Sequence, residues 1–179
     1  MNIVLGVHVK HDRSACIIID GRVVVNIANE RLDRVKYSDS PEIPYTAVDA
    51  VLKHCNIDIS QVSCIGMSGA GIESEKVKQF YKDDFFAHYR CREIPFFFLS
   101  HHWAHAYSSF CSSTFSESLI FVADGGGDYI GDKQEAETLY YGSHGKIQPL
   151  AARTQDMVVR KMENPVTVSY THLRAHETR

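Results

Sequence analysis

Residues 3–27 read IVLGVHVKHDRSACIIIDGRVVVNI, and the breaks in this stretch decide the fold. Ile3 to Val9, Ala15 to Asp20 and Arg22 to Ile27 are three β-rich runs. Asp20-Gly21 separates the second from the third. It is a strong two-residue hairpin signal, because a type I′ turn needs positive φ at both positions and Asp-Gly tolerates that. The first two runs are joined by a polar loop, Lys10 to Ser14. The chain is therefore expected to open with three antiparallel strands.

Outward from that opening, helices and strands alternate. Ala47, Val48, Val51, Leu52 and Cys55 recur at helical spacing behind Pro44, a residue suited to a first helical turn. Val62 to Met67 reads as a short buried strand, Ser68 to Ile72 as a glycine-bearing turn, and Glu75 to Phe85 as a helix. The apolar run in Glu93 to Leu99 suits a central strand. His101 to Phe110 follows as a helix and Leu119 to Ala123 as another buried strand. Thr138 to Tyr141 and Lys146 to Leu150 form a hairpin around Gly142 to Gly145. Glu30 to Ser40 is charged and reads as a loop. Three strands, then helix, strand, helix, strand is the order of an α/β ribonuclease H-like half-domain of the actin-like ATPase or sugar kinase type. Such a domain has a mixed sheet with helices on its faces. In that fold type the phosphate sites lie at the first hairpin turn and at a glycine-rich loop after a later strand. Here those places are Lys10 to Ser14 and Asp124 to Asp128.

Composition bounds the function. The chain has 179 residues, 19 Lys and Arg against 22 Asp and Glu, and a net charge of −3. That balance gives no electrostatic case for nucleic acid or an anionic membrane. No apolar run approaches the ~20 residues of a membrane-spanning helix. The 5 cysteines are scattered through apolar runs, which points to reduced thiols and a cytoplasmic setting.

The sharpest chemical signal is Ser100-His101-His102-Trp103-Ala104-His105-Ala106. If a helix starts here, His101 and His105 stand at i and i+4 on one face, the way a helix offers two imidazoles to one cation. Asp124, closing the next strand, is the candidate third ligand. Two histidines and one carboxylate leave coordination positions open, as in non-haem Fe(II) and catalytic Zn sites. His102 would point off that face, toward an outer-shell or substrate contact. The same pattern also suits a helix start whose histidines merely cap and pack. Gly125, Gly126 and Gly127 either cradle phosphate with their amides or simply make a tight turn. His11, in the first loop beside Asp12, Arg13 and Ser14, suits a general base or an ordinary polar turn. Glu30 to Lys36 reads by default as a solvated strand end.

Taken together, these segments resemble a known family. His11-Asp12-x-Ser14-Ala15, Glu30-Arg31-x-x-Arg34-x-Lys36, His101-His102-x-Ala104-His105-Ala106-x-Ser108 and Asp124-Gly125-x-Gly127-Asp128 occur in order across about residues 2 to 150. They look like the N-terminal domain of the O-carbamoyltransferases, among them the nodulation-factor and antibiotic-biosynthesis enzymes. The resemblance implies a parent enzyme that takes carbamoyl phosphate and ATP, forms a carbamoyl-adenylate and passes the carbamoyl group to a small-molecule hydroxyl. It implies that His101, His105 and Asp124 bind a divalent metal, Fe(II) foremost. It implies that His11 and Lys36 contact the carbamoyl group, with His11 also a candidate base, and that Gly125, Gly126 and Gly127 lie at the cofactor. No nucleic acid or membrane partner is implied, and a homodimer of the full-length parent stays open. Two positions depart from the pattern: Asp128, where several relatives carry Glu, and Tyr37, where His is frequent. Related tRNA threonylcarbamoyl or hydrogenase-maturation carbamoyl transferases, and a non-enzymatic ribonuclease H-like module, remain alternatives. The tRNA type is expected to carry an acidic residue between its histidines, where this chain has His102-Trp103-Ala104.

Residues 168–179, VSYTHLRAHETR, resemble a translated transposase sequencing adapter over their first 11 positions. His172 and His176 are therefore left out of the metal-ligand set. Residues 1–166 are expected to be the truncated N-terminal part of a transfer domain, inactive by itself.

Overall fold

The computed structural model describes residues 1–36, 40–91 and 94–155. Tyr37, the expected boundary near Val166 and the adapter-like stretch 168–179 lie outside the described residues. The chain divides into two compact units, Met1–Leu99 and Ser100 onward.

The first unit holds a five-stranded sheet. β1 (Ile3–His8), β2 (Ser14–Ile19) and β3 (Arg22–Ala28) are antiparallel, while β4 (Cys64–Ser68) runs parallel to β1, and β5 (Phe96–Leu99) parallel to β4. The order β3-β2-β1-β4-β5 is the ribonuclease H-like arrangement. Asp20 and Gly21 turn the hairpin with φ of 49° and 81°, both positive as the type I′ geometry requires. Alternation on β1 sends Ile3, Leu5 and Val7 into the core.

α1 (Glu30–Asp33) is a single turn where a loop was expected. Asn29 donates a side-chain bond to Asp33 at 2.6 Å, which closes the turn locally. α2 (Tyr45–Cys55) starts behind Pro44 and packs Ala47, Val48, Val51 and Leu52 inward. α3 (Glu75–Tyr89) begins at Ser74, whose hydroxyl accepts the Val77 amide at 3.3 Å. It extends four residues past the expected Phe85 end. α1, α2 and α3 all end at residues in the left-handed region, Arg34, Asn56 and Arg90, none of them glycine.

The expected central strand from Glu93 to Leu99 needs correction. β5 covers Phe96–Leu99 and forms an edge of the sheet, which leaves Phe97 58% exposed. Glu93 lies outside the described residues.

The second unit has its own core. α4 (His101–Ser112) packs on β6 (Glu117–Ala123) and β8 (Lys133–Ser143). β7 (Tyr129–Ile130) and β9 (Lys146–Gln155) flank β8, and every pairing is antiparallel. The hairpin predicted around Gly142 to Gly145 is present, turned by His144 and Gly145 at φ of 50° and 74°. β6 is not buried on both faces as expected, since Leu119 and Phe121 are 39% and 42% exposed. Ala106, Phe110, Ile120, Val122, Tyr140 and Ile147 form the core beneath α4.

Gly142 is part of that core. A Cβ built there would stand 2.8 Å from the Phe110 ring. Gly142→Ala is therefore expected to destabilise this unit by about 1–3 kcal/mol through overpacking, read by denaturant unfolding. An unchanged midpoint would mean that Phe110 yields freely.

Candidate metal centre

The site forms where the start of α4 meets the end of β6. Ser100 caps α4, its hydroxyl accepting the Trp103 amide at 3.4 Å. His102, Ala106 and Phe110 recur at helical spacing and are buried. One position earlier, His101 and His105 form the neighbouring stripe. Their rings meet edge to face with centroids 4.6 Å apart. On β6, Ser118, Ile120 and Val122 face inward, and Asp124 follows at the strand's carboxyl end.

Asp124 Oδ2 lies 2.8 Å from His101 Nε2 and 3.2 Å from His105 Nε2, and the two ring nitrogens are 3.2 Å apart. All three ligand atoms fall within 4.8 Å of one another. Bonds of ~2.0–2.1 Å around one cation put neighbouring ligand atoms about 3 Å apart, so this donor set fits a metal. The side chains of His101 and Asp124 are 4% and 5% exposed, and that of His105 is 31% exposed. Burial alone would raise the Asp124 carboxyl. The imidazoles of His101, His102 and His105, with the Gly126 amide, outweigh it and hold the group well below the usual carboxylate range.

Behind the ligands lies a buried polar layer. Asp128 Oδ2 accepts the His101 amide at 2.9 Å, and Glu135 Oε2 accepts the Asp128 amide at 3.2 Å. His102 is fully buried, with Nδ1 2.7 Å from Thr138 Oγ1 and 3.8 Å from Glu135 Oε2. Its Nε2 lies 3.9 Å from Asp124 Oδ1. A Cβ at Gly127 would sit 2.7 Å from both His102 Nε2 and Glu135 Oε2, so glycine is what makes room there. The Gly126 amide donates to Asp124 Oδ1 at 2.7 Å, and the Gly127 amide to the Glu135 carbonyl at 2.8 Å. Two of the three glycine amides are thus engaged, one by Asp124 and one by the β8 backbone.

The first unit carries the other predicted residues. His11 sits in the β1–β2 loop, Nδ1 3.1 Å from Asp12 Oδ2 and its side chain 52% exposed. Lys10 and Asp12 flank it at φ of 75° and 53°, an unusual pair for non-glycine residues. Lys36 is exposed after α1. Asp33, in the stretch read as a solvated strand end, lies 3.6 Å from Arg13. Sequence reasoning missed His8, whose Nδ1 is 2.9 Å from Ser68 Oγ where the parallel strands β1 and β4 end, and whose ring is 6.0 Å from that of His11. It also missed Thr138 and Glu135 as partners of His102.

Comparison with known proteins supports the resemblance drawn from the motifs. The chain is similar to nodulation protein NolNO of Sinorhizobium fredii (strain NBRC 101917 / NGR234), with 29% identity across 79% of this chain. It spans 22% of that relative's length. No family model matches the chain. Two solved structures from Pseudomonas aeruginosa share the fold. One is described as an uncharacterized protein with similarity to peptidase YEAZ, at TM-score 0.56 and 13% identity over 87% of this chain and 67% of that one. The other is YeaZ, at TM-score 0.54 and 13% identity over 86% and 66%.

Proposed function

We propose that this chain is the N-terminal part of a carbamoyltransferase. The parent would move a carbamoyl group from carbamoyl phosphate, through an ATP-derived carbamoyl-adenylate, to a hydroxyl of a small molecule. One observation carries the reading. His101, His105 and Asp124 converge within 4.8 Å in a chain that aligns with a nodulation protein over 79% of its length. Adenylate formation is assigned to the remainder of the parent.

Each residue's role is the one the family resemblance implies for its position. His101 and His105 would offer Nε2, and Asp124 its Oδ2, to a divalent cation, Fe(II) by family resemblance. When bound, that cation would supply Lewis-acid stabilisation of negative charge on phosphate or carbonyl oxygen. His11 would take the proton from the acceptor hydroxyl as its oxygen bonds to the carbamoyl carbon of the adenylate, and AMP would depart with the electron pair of the broken carbon–oxygen bond. The Lys36 ammonium would meet the carbamoyl group. Gly125, Gly126 and Gly127 would let phosphate approach the backbone closely. The internal bonds of Gly126 and Gly127 favour such close approach over an amide cradle.

Anaerobic loading with Fe(II), followed by desalting, is expected to leave about one iron per chain. The doubly substituted His101→Ala, His105→Ala chain is expected to keep none. Equal retention by both chains, or retention by neither, overturns the assignment.

A further inference from the structure

Asp124 uses its two oxygens differently. Oδ2 faces the two imidazoles of the cluster, and Oδ1 accepts the Gly126 amide and faces His102 Nε2. A carboxylate can rotate about its last torsion, and a ligand oxygen is well placed only if its twin is held. His102 faces that twin: its Nε2 lies 3.9 Å from Oδ1, beyond hydrogen-bond distance, and is a buried ring nitrogen with no hydrogen-bond partner, so the carboxylate is the group it confronts. It belongs by helical spacing to the apolar face of α4, among positions filled by Ala106 and Phe110, where a fully buried imidazole is costly unless its nitrogens are used. Thr138 takes Nδ1, Glu135 stands beside that nitrogen, and the absent side chain of Gly127 opens the space in which Nε2 points toward Asp124. A residue that only filled volume would need neither the hydroxyl on β8 nor the glycine opposite.

We propose that His102 is a positioning residue of the metal centre: anchored by Thr138 at one ring nitrogen, it backs Asp124 with the other and keeps Oδ2 turned toward His101 and His105. The inference rests on reading the cluster as a metal site. It gives Thr138 and Gly127 a functional reason to be Thr and Gly.

Thr138→Val keeps the side-chain shape and removes the hydroxyl, whereas Thr138→Ser keeps the hydroxyl. Gly127→Ala presses on the same imidazole from the opposite side. The purified chains are titrated anaerobically with Co(II), and its visible absorption reports both affinity and ligand geometry. Thr138→Val and Gly127→Ala are expected to bind Co(II) about 10- to 100-fold more weakly, the range typical of outer-shell changes, and with altered bands. Thr138→Ser is expected to restore both affinity and bands. Thermal melts identify any variant that fails to fold, in which case the other variant decides. Co(II) affinity and bands unchanged in both Thr138→Val and Gly127→Ala overturn the positioning role while leaving the metal site standing. No Co(II) binding by the unsubstituted chain overturns the metal reading and this inference with it.

Discussion

Asp124→Ala is expected to abolish tight Co(II) binding at the proposed cluster. Oδ2 is the one atom that both cluster imidazoles share, at 2.8 Å and 3.2 Å, and it carries the only formal negative charge in the proposed ligand set. Removing it leaves two neutral donors and a hole where the anion stood. The loss in Co(II) affinity should exceed the roughly 10- to 100-fold expected when an outer contact is removed. Asp124→Asn keeps an oxygen but not the charge, and should fall between the alanine variant and the parent. Stability will also drop, because the buried imidazoles lose an acceptor. A deficit of about 1–3 kcal/mol is the usual scale for a buried polar group left unsatisfied. Equilibrium dialysis against Co(II) gives the first number and denaturant unfolding the second. An alanine variant that binds within tenfold of the parent would strike Asp124 from the ligand set.

Phe85→Ala is expected to give the largest loss of stability in the first unit. Phe85 is fully buried on α3, and its ring packs against those of Tyr45, Phe86, Tyr89 and Phe96 with centroids 4.8–6.5 Å apart. Truncation of such a residue costs about 3–5 kcal/mol, of which the unfilled cavity is a large part. A domain with only about 5–15 kcal/mol in total would lose much of its margin. Two phenol hydrogen bonds, Tyr45 to Asp84 at 2.8 Å and Tyr89 to Asp49 at 2.7 Å, hold partner rings in place and limit collapse into the gap. Urea unfolding measures the effect. A cost below about 1 kcal/mol would show that the surrounding rings close over the gap and that Phe85 is not a mainstay of this core.

The sequence carried the fold where its local chemistry had one solution. Asp20-Gly21 permitted a single tight hairpin, and Pro44 followed by Ala47, Val48, Val51 and Leu52 at helical spacing marked a helix. It was opaque where pairing rather than composition makes the strand. β9 runs for ten residues, yet only Ile147 on it is buried, and Pro149 interrupts it beside a register shift opposite Tyr140. The hairpin reading took in Lys146 to Leu150, but nothing in residues 151–155 announces a strand until β8 lies next to them. α1 is too short to display a period. The convergence of His101, His105 and Asp124 was legible because i and i+4 histidines and a strand-ending Asp are local signals. His102 was legible too, since helical spacing turns it off the face shared by His101 and His105. Thr138 and Glu135 were not, because they lie more than 30 positions along the chain from His102 and reach it only through the pairing of β6 with β8.

The left-handed ends of α1, α2 and α3 bear on how this protein can be improved. Arg34, Asn56 and Arg90 hold a backbone shape that glycine adopts freely and a residue with a Cβ adopts at a cost of roughly 1–2 kcal/mol, less for Asn. Natural chains keep such suboptimal positions when nothing selects against them. Arg34 belongs to the Glu30-Arg31-x-x-Arg34-x-Lys36 motif, so the untapped headroom lies at Asn56 and Arg90. An engineer who needs a sturdier version of this unit can look there first and leave both the core and the histidine cluster untouched.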